Sequence, residues 1–265
     1  MNELVTRSLS GIVYIALLVG ALVLSDVSFL LLFGLFFLLA IYEFCKLYQI
    51  KKIIGFAIAL FISSSLFLVH NSELNSIYLT VIPFSTYLIF DLFRNNFSSN
   101  HSFSQKIIHL TGYVVVPFLI LTQLPFNNNQ YTPFILLSIF VMMWCNDTFA
   151  YICGRLFGKH KLYEKISPKK TIEGFVGGLF FTQIAAFFVF KLLPVENISL
   201  IFWVAIGLTV SIMGTLGDLI ESKYKRQANV KDSGTIMPGH GGILDRLDSI
   251  LFAAPFLFLI YKIIL

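Results

Sequence analysis

Charge is scarce in this chain. Only 12% of its 265 residues are Asp, Glu, Lys or Arg and 57% are hydrophobic, whereas an average soluble domain carries roughly 25% charged residues. Apolar stretches run from end to end, so no polar segment is long enough to fold as a separate water-soluble domain of ordinary size. Cysteine is nearly absent as well. The three present, Cys45, Cys145 and Cys153, fall inside or at the ends of apolar segments without the paired spacing of a metal ribbon. They read as small buried hydrophobes. No small-residue cleavage site follows the first apolar run, so that run is expected as a retained helix and not as a removed signal peptide. No internal repeat is evident, which counts against the inverted-repeat pattern of many transporters.

What the chain does have is a series of apolar windows about 17 to 25 residues long, the length that crosses a bilayer as a helix. They fall near residues 6–24, 28–46, 53–70, 76–93, 107–124, 132–153, 172–193, 199–220 and 243–264. The expected fold is all-α: a polytopic membrane protein with about nine transmembrane helices and a cytoplasmic N-terminus. Residues 1–265 are expected to form a single membrane domain, with less specific spans in 1–130 and the catalytic spans and cytoplasmic loops in 131–265. Only Ser25 to Val27 separate the first two windows, which makes a tight helical hairpin of them.

The basic residues fit this topology. Arg7, Lys46, Lys51, Lys52, Arg94, Lys106, the cluster from Arg155 to Lys170, and Lys223, Lys225, Arg226, Lys231 and Arg246 all fall inside, leaving Lys191 and Lys262 at outside ends. That asymmetry is the positive-inside pattern, so the net charge of +5 is read as topology and not as nucleic-acid binding. The outer connections at Ser25 to Val27, Asn71 to Asn75, Pro125 to Tyr131 and Pro194 to Ile198 look like short turns. With no large N-terminal extension ahead of the spans, the expected location is a bacterial inner (plasma) membrane with the active site facing the cytoplasm.

The acids gather at the same face. Glu43, Asp91, Asp147 and Asp218 fall in late turns of inward-running spans, and Asp245 and Asp248 open an outward-running one. An ionised carboxylate at that depth is costly unless paired or metal-bound, which makes such acids functional candidates by default. Glu43 and Asp91 read as interfacial anchors beside Lys46 and Arg94. Asp147, next to Asn146 in an apolar run, is open between a structural hydrogen bond and a site role.

The polar run from Gly217 to Ser249 is the densest: five carboxylates, five Lys or Arg and His240 lie between two apolar segments. On a helix continuing through GDLIESKYKR, Asp218, Ser222 and Lys225 are spaced i, i+4 and i+7 and share one face. Asp245, Asp248 and Ser249 do the same in DRLDS. Two such faces offer the hard oxygen ligands that Mg2+ prefers. In PGHGGILDR, Gly239, Gly241 and Gly242 allow close backbone approach to an anion just ahead of a helix start. A second basic loop, FGKHKLYEKISPKKTIEGFVGG, leads from Lys169 and Lys170 into Gly174, Gly177 and Gly178, where Ser167 and Pro168 suggest a capped helix start.

The run SKYKRQANVKDSGTIMPGHGGILDRLDS, Ser222 to Ser249, resembles the signature of the phosphatidate cytidylyltransferases, or CDP-diacylglycerol synthases. Lys225, Arg226, Lys231, Asp232, Pro238, His240, Gly241, Gly242, Asp245, Arg246 and Asp248 fill its fixed positions. The likeness extends upstream through NDTFAYICGRLFGKHKL and covers roughly Asn146 to Ser249. It implies transfer of CMP from CTP to phosphatidate, giving CDP-diacylglycerol and pyrophosphate, by a multi-span homodimer that uses Mg2+ with a monovalent cation such as K+. It places the metal-binding aspartates at Asp218 and Asp245, with Asp248 close by.

The residue chemistry agrees. The phosphate monoester of phosphatidate carries about −1.5 to −2 charge near neutral pH, by analogy with a phosphorylated side chain, so it is itself the nucleophile and needs no strong general base. The difficulty is electrostatic, and metal and cationic screening answers it. The catalytic candidates are Asp218, Asp245, Asp248, His240 and Lys231. The substrate-binding candidates are Ser222, Lys225, Arg226, Gly239, Gly241, Gly242, Arg246, Lys169, Lys170 and Asp147, with Lys169 and Lys170 attracting the phosphatidate head group. A CTP-dependent lipid kinase of the dolichol-kinase type is the alternative. A transporter fits less, because its polar residues would be spread across the bilayer instead of crowding one face.

Overall fold

The computed structural model of the chain describes residues 3–68, 81–94, 100–127, 130–193 and 198–264. Helices occupy the described part of every expected window: α1 (Glu3–Leu24), α2 (Asp26–Leu47), α3 (Lys52–Leu68), α4 (Val81–Phe93), α5 (Phe103–His109), α6 (Val116–Leu121), α7 (Pro133–Phe157), α8 (Ile172–Leu192), α9 (Leu200–Gln227) and α10 (Leu244–Ile264). A π-helical turn, Leu110–Val115, joins α5 to α6. Pro117 follows it and has no N–H to return to the preceding turn, a known cause of such a local widening. Among the described residues, six helical stretches are long and apolar enough to cross a membrane by length and composition: Val5–Leu24, Asp26–Leu47, Phe103–Leu121, Pro133–Phe157, Ile172–Leu192 and Leu200–Gln227. Lys52–Ser65 and Val81–Phe93 are shorter apolar helices. The molecule is therefore an all-α, multi-pass membrane protein. The turn expected at Asn71 to Asn75 lies outside the described residues, as does most of that at Pro194 to Ile198.

The chain forms two compact units, one from Met1–Thr122 with Lys223–Asp248 and the other from Gln123–Ser222 with Ser249–Leu265. In the first, the α1–α2 hairpin is even tighter than its sequence suggests, with Ser25 alone between the helices. Ser25 Oγ accepts the Ser28 N–H and Ser28 Oγ accepts the Ser25 N–H, both at 3.0 Å, a reciprocal cap that satisfies two otherwise orphaned donors. Phe29, Phe33, Ala40 and Phe44 line the buried side of α2, and Phe33 and Phe37 pack on Phe118 with ring centroids 6.3 and 5.2 Å apart. Both α2 and α9 end on a left-handed residue, Gln49 (φ 52°) and Asn229 (φ 56°). In each case the next N–H reaches back to a carbonyl of the last turn, Ile50 to Cys45 and Val230 to Lys225, both at 2.9 Å, which satisfies an orphan acceptor.

In the second unit, α7 and α8 pack face to face through small residues. A Cβ on Gly174 would stand 2.6 Å from the Ala150 carbonyl, and one on Gly177 2.5 Å from the Cys153 side chain. Such contacts let helix backbones approach closely in lipid. The basic loop between them departs from the expectation of a helix start at Ser167 and Pro168. Lys161–Tyr163 (β3) and Ser167–Thr171 (β4) form an antiparallel hairpin, and the cap is Thr171, whose Oγ1 accepts the Gly174 N–H at 3.1 Å. A second small hairpin pairs Phe126–Asn127 (β1) with Gln130–Tyr131 (β2).

Candidate functional site

In the first unit the PGHGG turn closes around two carboxylates. Asp245, in the first turn of α10, accepts the backbone N–H groups of Ser233 and Gly242 on Oδ2, each at 2.8 Å, together with the Ser233 hydroxyl at 2.9 Å. Its Oδ1 takes the Lys225 ammonium at 2.7 Å. Glu43, from α2 and only 1% exposed, accepts the N–H groups of Ile243 (3.0 Å) and Leu244 (2.8 Å), and its Oε2 lies 3.1 Å from the same Ser233 hydroxyl, whose single proton serves one carboxyl group at a time. A buried anion on the free N–H groups that open α10 is the interaction a helix N-terminus favours. The glycines make the approach possible. A Cβ on Gly242 would stand 2.4 Å from both Glu43 oxygens, and one on Gly241, where φ is +87°, 2.5 Å from Asp245 Oδ2. The N–H groups of Gly242, Ile243 and Leu244 are thus taken by two carboxyl groups of the chain itself, those of Asp245 and Glu43. The His240 and Gly241 N–H groups turn inward to the Met237 carbonyl.

His240 is fastened to α1. Its Nδ1 lies 2.6 Å from Ser10 Oγ, which also meets the carbonyls of Pro238 (2.9 Å) and Arg7 (3.0 Å). Carbonyls only accept; with the hydroxyl proton on one of them, the Ser10 oxygen accepts from Nδ1–H. Burial, then the nearby Arg246 and Arg7 charges, hold the imidazole pKa below its ordinary value. In that tautomer the neutral ring keeps its lone pair on Nε2. Lys231 and Arg246 are exposed, and Arg226 donates to the Val230 carbonyl at 3.2 Å. Asp248 is half-buried, and its backbone carbonyl accepts the Tyr113 hydroxyl at 3.3 Å.

The same unit contains a pairing absent from the sequence reading. Lys223, fully buried, donates to Asp91 Oδ2 at 3.0 Å, to the Asp91 carbonyl and to the Arg94 carbonyl at 3.3 Å. Asp91 is thus the counter-ion of an α9 lysine and not a surface anchor beside Arg94. Likewise Glu43 meets the start of α10 in place of Lys46.

In the second unit Asp218 of α9 meets Lys170 of β4, Oδ2 to Nζ at 2.5 Å, and accepts the Ser222 hydroxyl at 3.1 Å on Oδ1. Its side chain keeps 32% of its surface exposed. In β4 successive side chains alternate between faces, and Lys170 turns to Asp218 while Lys169 is more exposed. Asp147 is exposed on α7 and accepts the Asn146 amide at 3.3 Å. The two motif aspartates, Asp218 and Asp245, fall in different units, each beside a lysine of its own. Among the described residues no group of three or more His, Cys, Asp or Glu is clustered closely enough to hold a metal ion by itself.

Comparison with known proteins gives a consistent picture. A model of the cytidylyltransferase family matches residues 5–264. A phosphatidate cytidylyltransferase of Staphylococcus haemolyticus (strain JCSC1435) is 36% identical over 261 residues, 95% of this chain and 96% of that protein. Shorter alignments are closer. The phosphatidate cytidylyltransferase of Staphylococcus aureus (strain COL) is 49% identical over 124 residues, and that of Bacillus subtilis (strain 168) 47% over 132. In these two alignments the chain spans about half the length of the relative, 46% and 49%.

Proposed function

Because the chain belongs to the cytidylyltransferase family, we propose that it is a phosphatidate cytidylyltransferase, moving CMP from CTP to phosphatidate to give CDP-diacylglycerol and pyrophosphate. A phosphate oxygen of the lipid attacks the α-phosphorus of CTP, the bond to the bridging oxygen of the β-phosphate breaks, and pyrophosphate leaves. The observation that carries this reading is the state of the two motif aspartates. Lys170 stands against Asp218 and Lys225 against Asp245, so each motif carboxyl group already faces a cation.

Such oxygens fit Mg2+, which commonly takes one or two protein carboxylates and completes its shell with water and substrate phosphate. Asp218, Asp245 and Asp248 would hold it, and the triphosphate would supply further ligands. When bound, Mg2+ screens the triphosphate and polarises the phosphoryl group under attack. A monovalent cation such as K+ belongs to the same reading. Lys225, Arg226, Lys231 and Arg246 supply positive charge for CTP and pyrophosphate oxygens, and Lys169 and Lys170 for the phosphatidate head group. The neutral His240 offers Nε2 as a proton acceptor. The glycine turn orients Asp245 and His240, which is how Gly239, Gly241 and Gly242 serve binding. In the membrane, α3, α4 and α10 cross with the six longer stretches to make nine spans. The N-terminus and the site face the cytoplasm of a bacterial plasma membrane, and the working form is a homodimer.

Product analysis tests the reaction. Purified protein given phosphatidate, CTP and Mg2+ should release one pyrophosphate for each CDP-diacylglycerol formed. Release of CDP with phosphorylation of a lipid alcohol would replace this reading with the kinase.

A further inference from the structure

Three adjoining cavities lie within the unit formed by Met1–Thr122 and Lys223–Asp248. The first, about 220 Å³, is walled by polar and aromatic groups that include Tyr48, His101, Lys106, Tyr224 and Gln227. The second, about 230 Å³, shares Gln49, His101 and Lys106 with the first and adds Lys51 and Phe103. The third, about 540 Å³, shares Ile54 with the second and is a groove of Ile, Ala and Phe side chains that runs past Ile58, Phe61 and Ile107 to Thr111.

The polar end is built for an anion. None of the residues lining the three cavities is Asp or Glu. Lys51 and Lys106 make no ion pair among the described residues, and two buried polar atoms, His101 Nε2 and Tyr224 Oη, have no hydrogen-bond partner there. An orphaned buried hydroxyl costs free energy unless a ligand or water completes it, and Tyr224 is only 1% exposed. The apolar end follows α3 from Ile53 to Ile62, about 14 Å at 1.5 Å per residue. Its rims are exposed, Ile53 at 84% and Phe61 at 72%. Cationic donors joined end to end with an elongated apolar groove match one kind of molecule.

We propose that these cavities form a binding site for an anionic phospholipid, its phosphate held by Lys51, Lys106 and His101 and one acyl chain laid along α3. The site uses none of the motif aspartates and none of the glycine turn. It rests on the membrane reading of the chain and not on the transfer reaction. Tyr224 and Gln227 flank Lys225 and Arg226 in the last turns of α9, so a bound lipid steadies the end of the helix that carries those two cations.

The test is photolabelling of the full chain in phosphatidylcholine nanodiscs, without CTP. Trace phosphatidylglycerol bearing a photoreactive acyl chain should label peptides from Lys52–Leu68 and Phe103–Leu121. Phosphatidylcholine bearing the same chain should label them far less. Replacing both lysines, Lys51→Gln with Lys106→Gln, should lower labelling by phosphatidylglycerol about 30-fold, taking a basic residue at an anionic lipid as worth roughly a factor of five. Asp245→Asn should leave labelling unchanged whatever it does to turnover. Equal labelling by the two lipids, labelling confined to other helices, or full labelling of the double variant would overturn the proposal.

Discussion

Glu43→Gln isolates the contact on which the glycine turn depends. The Glu43 side chain receives two backbone N–H groups and shares the Ser233 hydroxyl with Asp245, and at 1% exposure water does not substitute for it. Glutamine keeps one acceptor oxygen and turns an amide NH2 toward the other donors, so at least one of the Ile243 and Leu244 N–H groups loses its partner. A hydrogen bond to a charged group contributes about 1.5–3 kcal/mol and a buried orphan costs about 1–3. The start of α10 should therefore be weakened by about 2–4 kcal/mol. At 1.4 kcal/mol per decade, that is an increase of about 30- to 700-fold in amide exchange by local opening. Hydrogen exchange read by mass spectrometry on peptides covering 233–247 in nanodiscs is the assay, with peptides from α7 and α8 as the unaffected control. CTP-dependent turnover should fall with it, because Asp245 shares Ser233 with Glu43. Unchanged exchange at Ile243 and Leu244 in a folded variant would refute the reasoning.

Other perturbations follow from the same geometry. Gly242→Ala puts a Cβ 2.4 Å from both Glu43 oxygens and from Ser233 Oγ, so it should open the turn and lower turnover at least as much as Glu43→Gln. Lys223→Met strands the half-buried Asp91 carboxylate and should cost up to about 3–5 kcal/mol, whereas adding Asp91→Leu should recover much of that in denaturation by a graded detergent series. His240 has a lowered pKa, so the unfolded chain binds more protons than the folded one between the two values. Stability should hold above an ordinary histidine pKa of about 6.5 and decline as pH falls below it. His240→Gln should flatten that part of a melting-temperature profile.

The sequence was most legible where one short segment carries both cause and effect. Apolar length located the helices, Ser25 marked the first hairpin, and the i, i+4 and i+7 spacing of Asp218, Ser222 and Lys225 is realised because α9 continues to Gln227. Partners brought from far along the chain were not legible. Glu43 reaches residues about 200 positions away, and its neighbour Lys46 offered a local partner that the fold does not use. The glycines at 234, 241 and 242 were the available signal, since a Cβ at each would meet a carboxylate. Ser10 and His240, and Asp91 and Lys223, are likewise joined only by packing. The hairpin at Lys161–Thr171 leaves no signal in the sequence because strands of three and five residues are too short to show a period. Its true cap, Thr171 ahead of Gly174, was overshadowed by the more familiar Ser-Pro pair.

The central claim is that this chain joins CMP to phosphatidate through Asp218 and Asp245. Protein reconstituted with phosphatidate should, with Mg2+, place label from α-phosphate-labelled CTP into lipid, lose that activity with chelator and regain it when Mg2+ is restored. Asp218→Asn should insert normally and show at least a hundredfold less incorporation, the scale seen when one group stabilising transferred charge is removed. Unlabelled lipid from the wild-type protein, or full incorporation by Asp218→Asn, would contradict it.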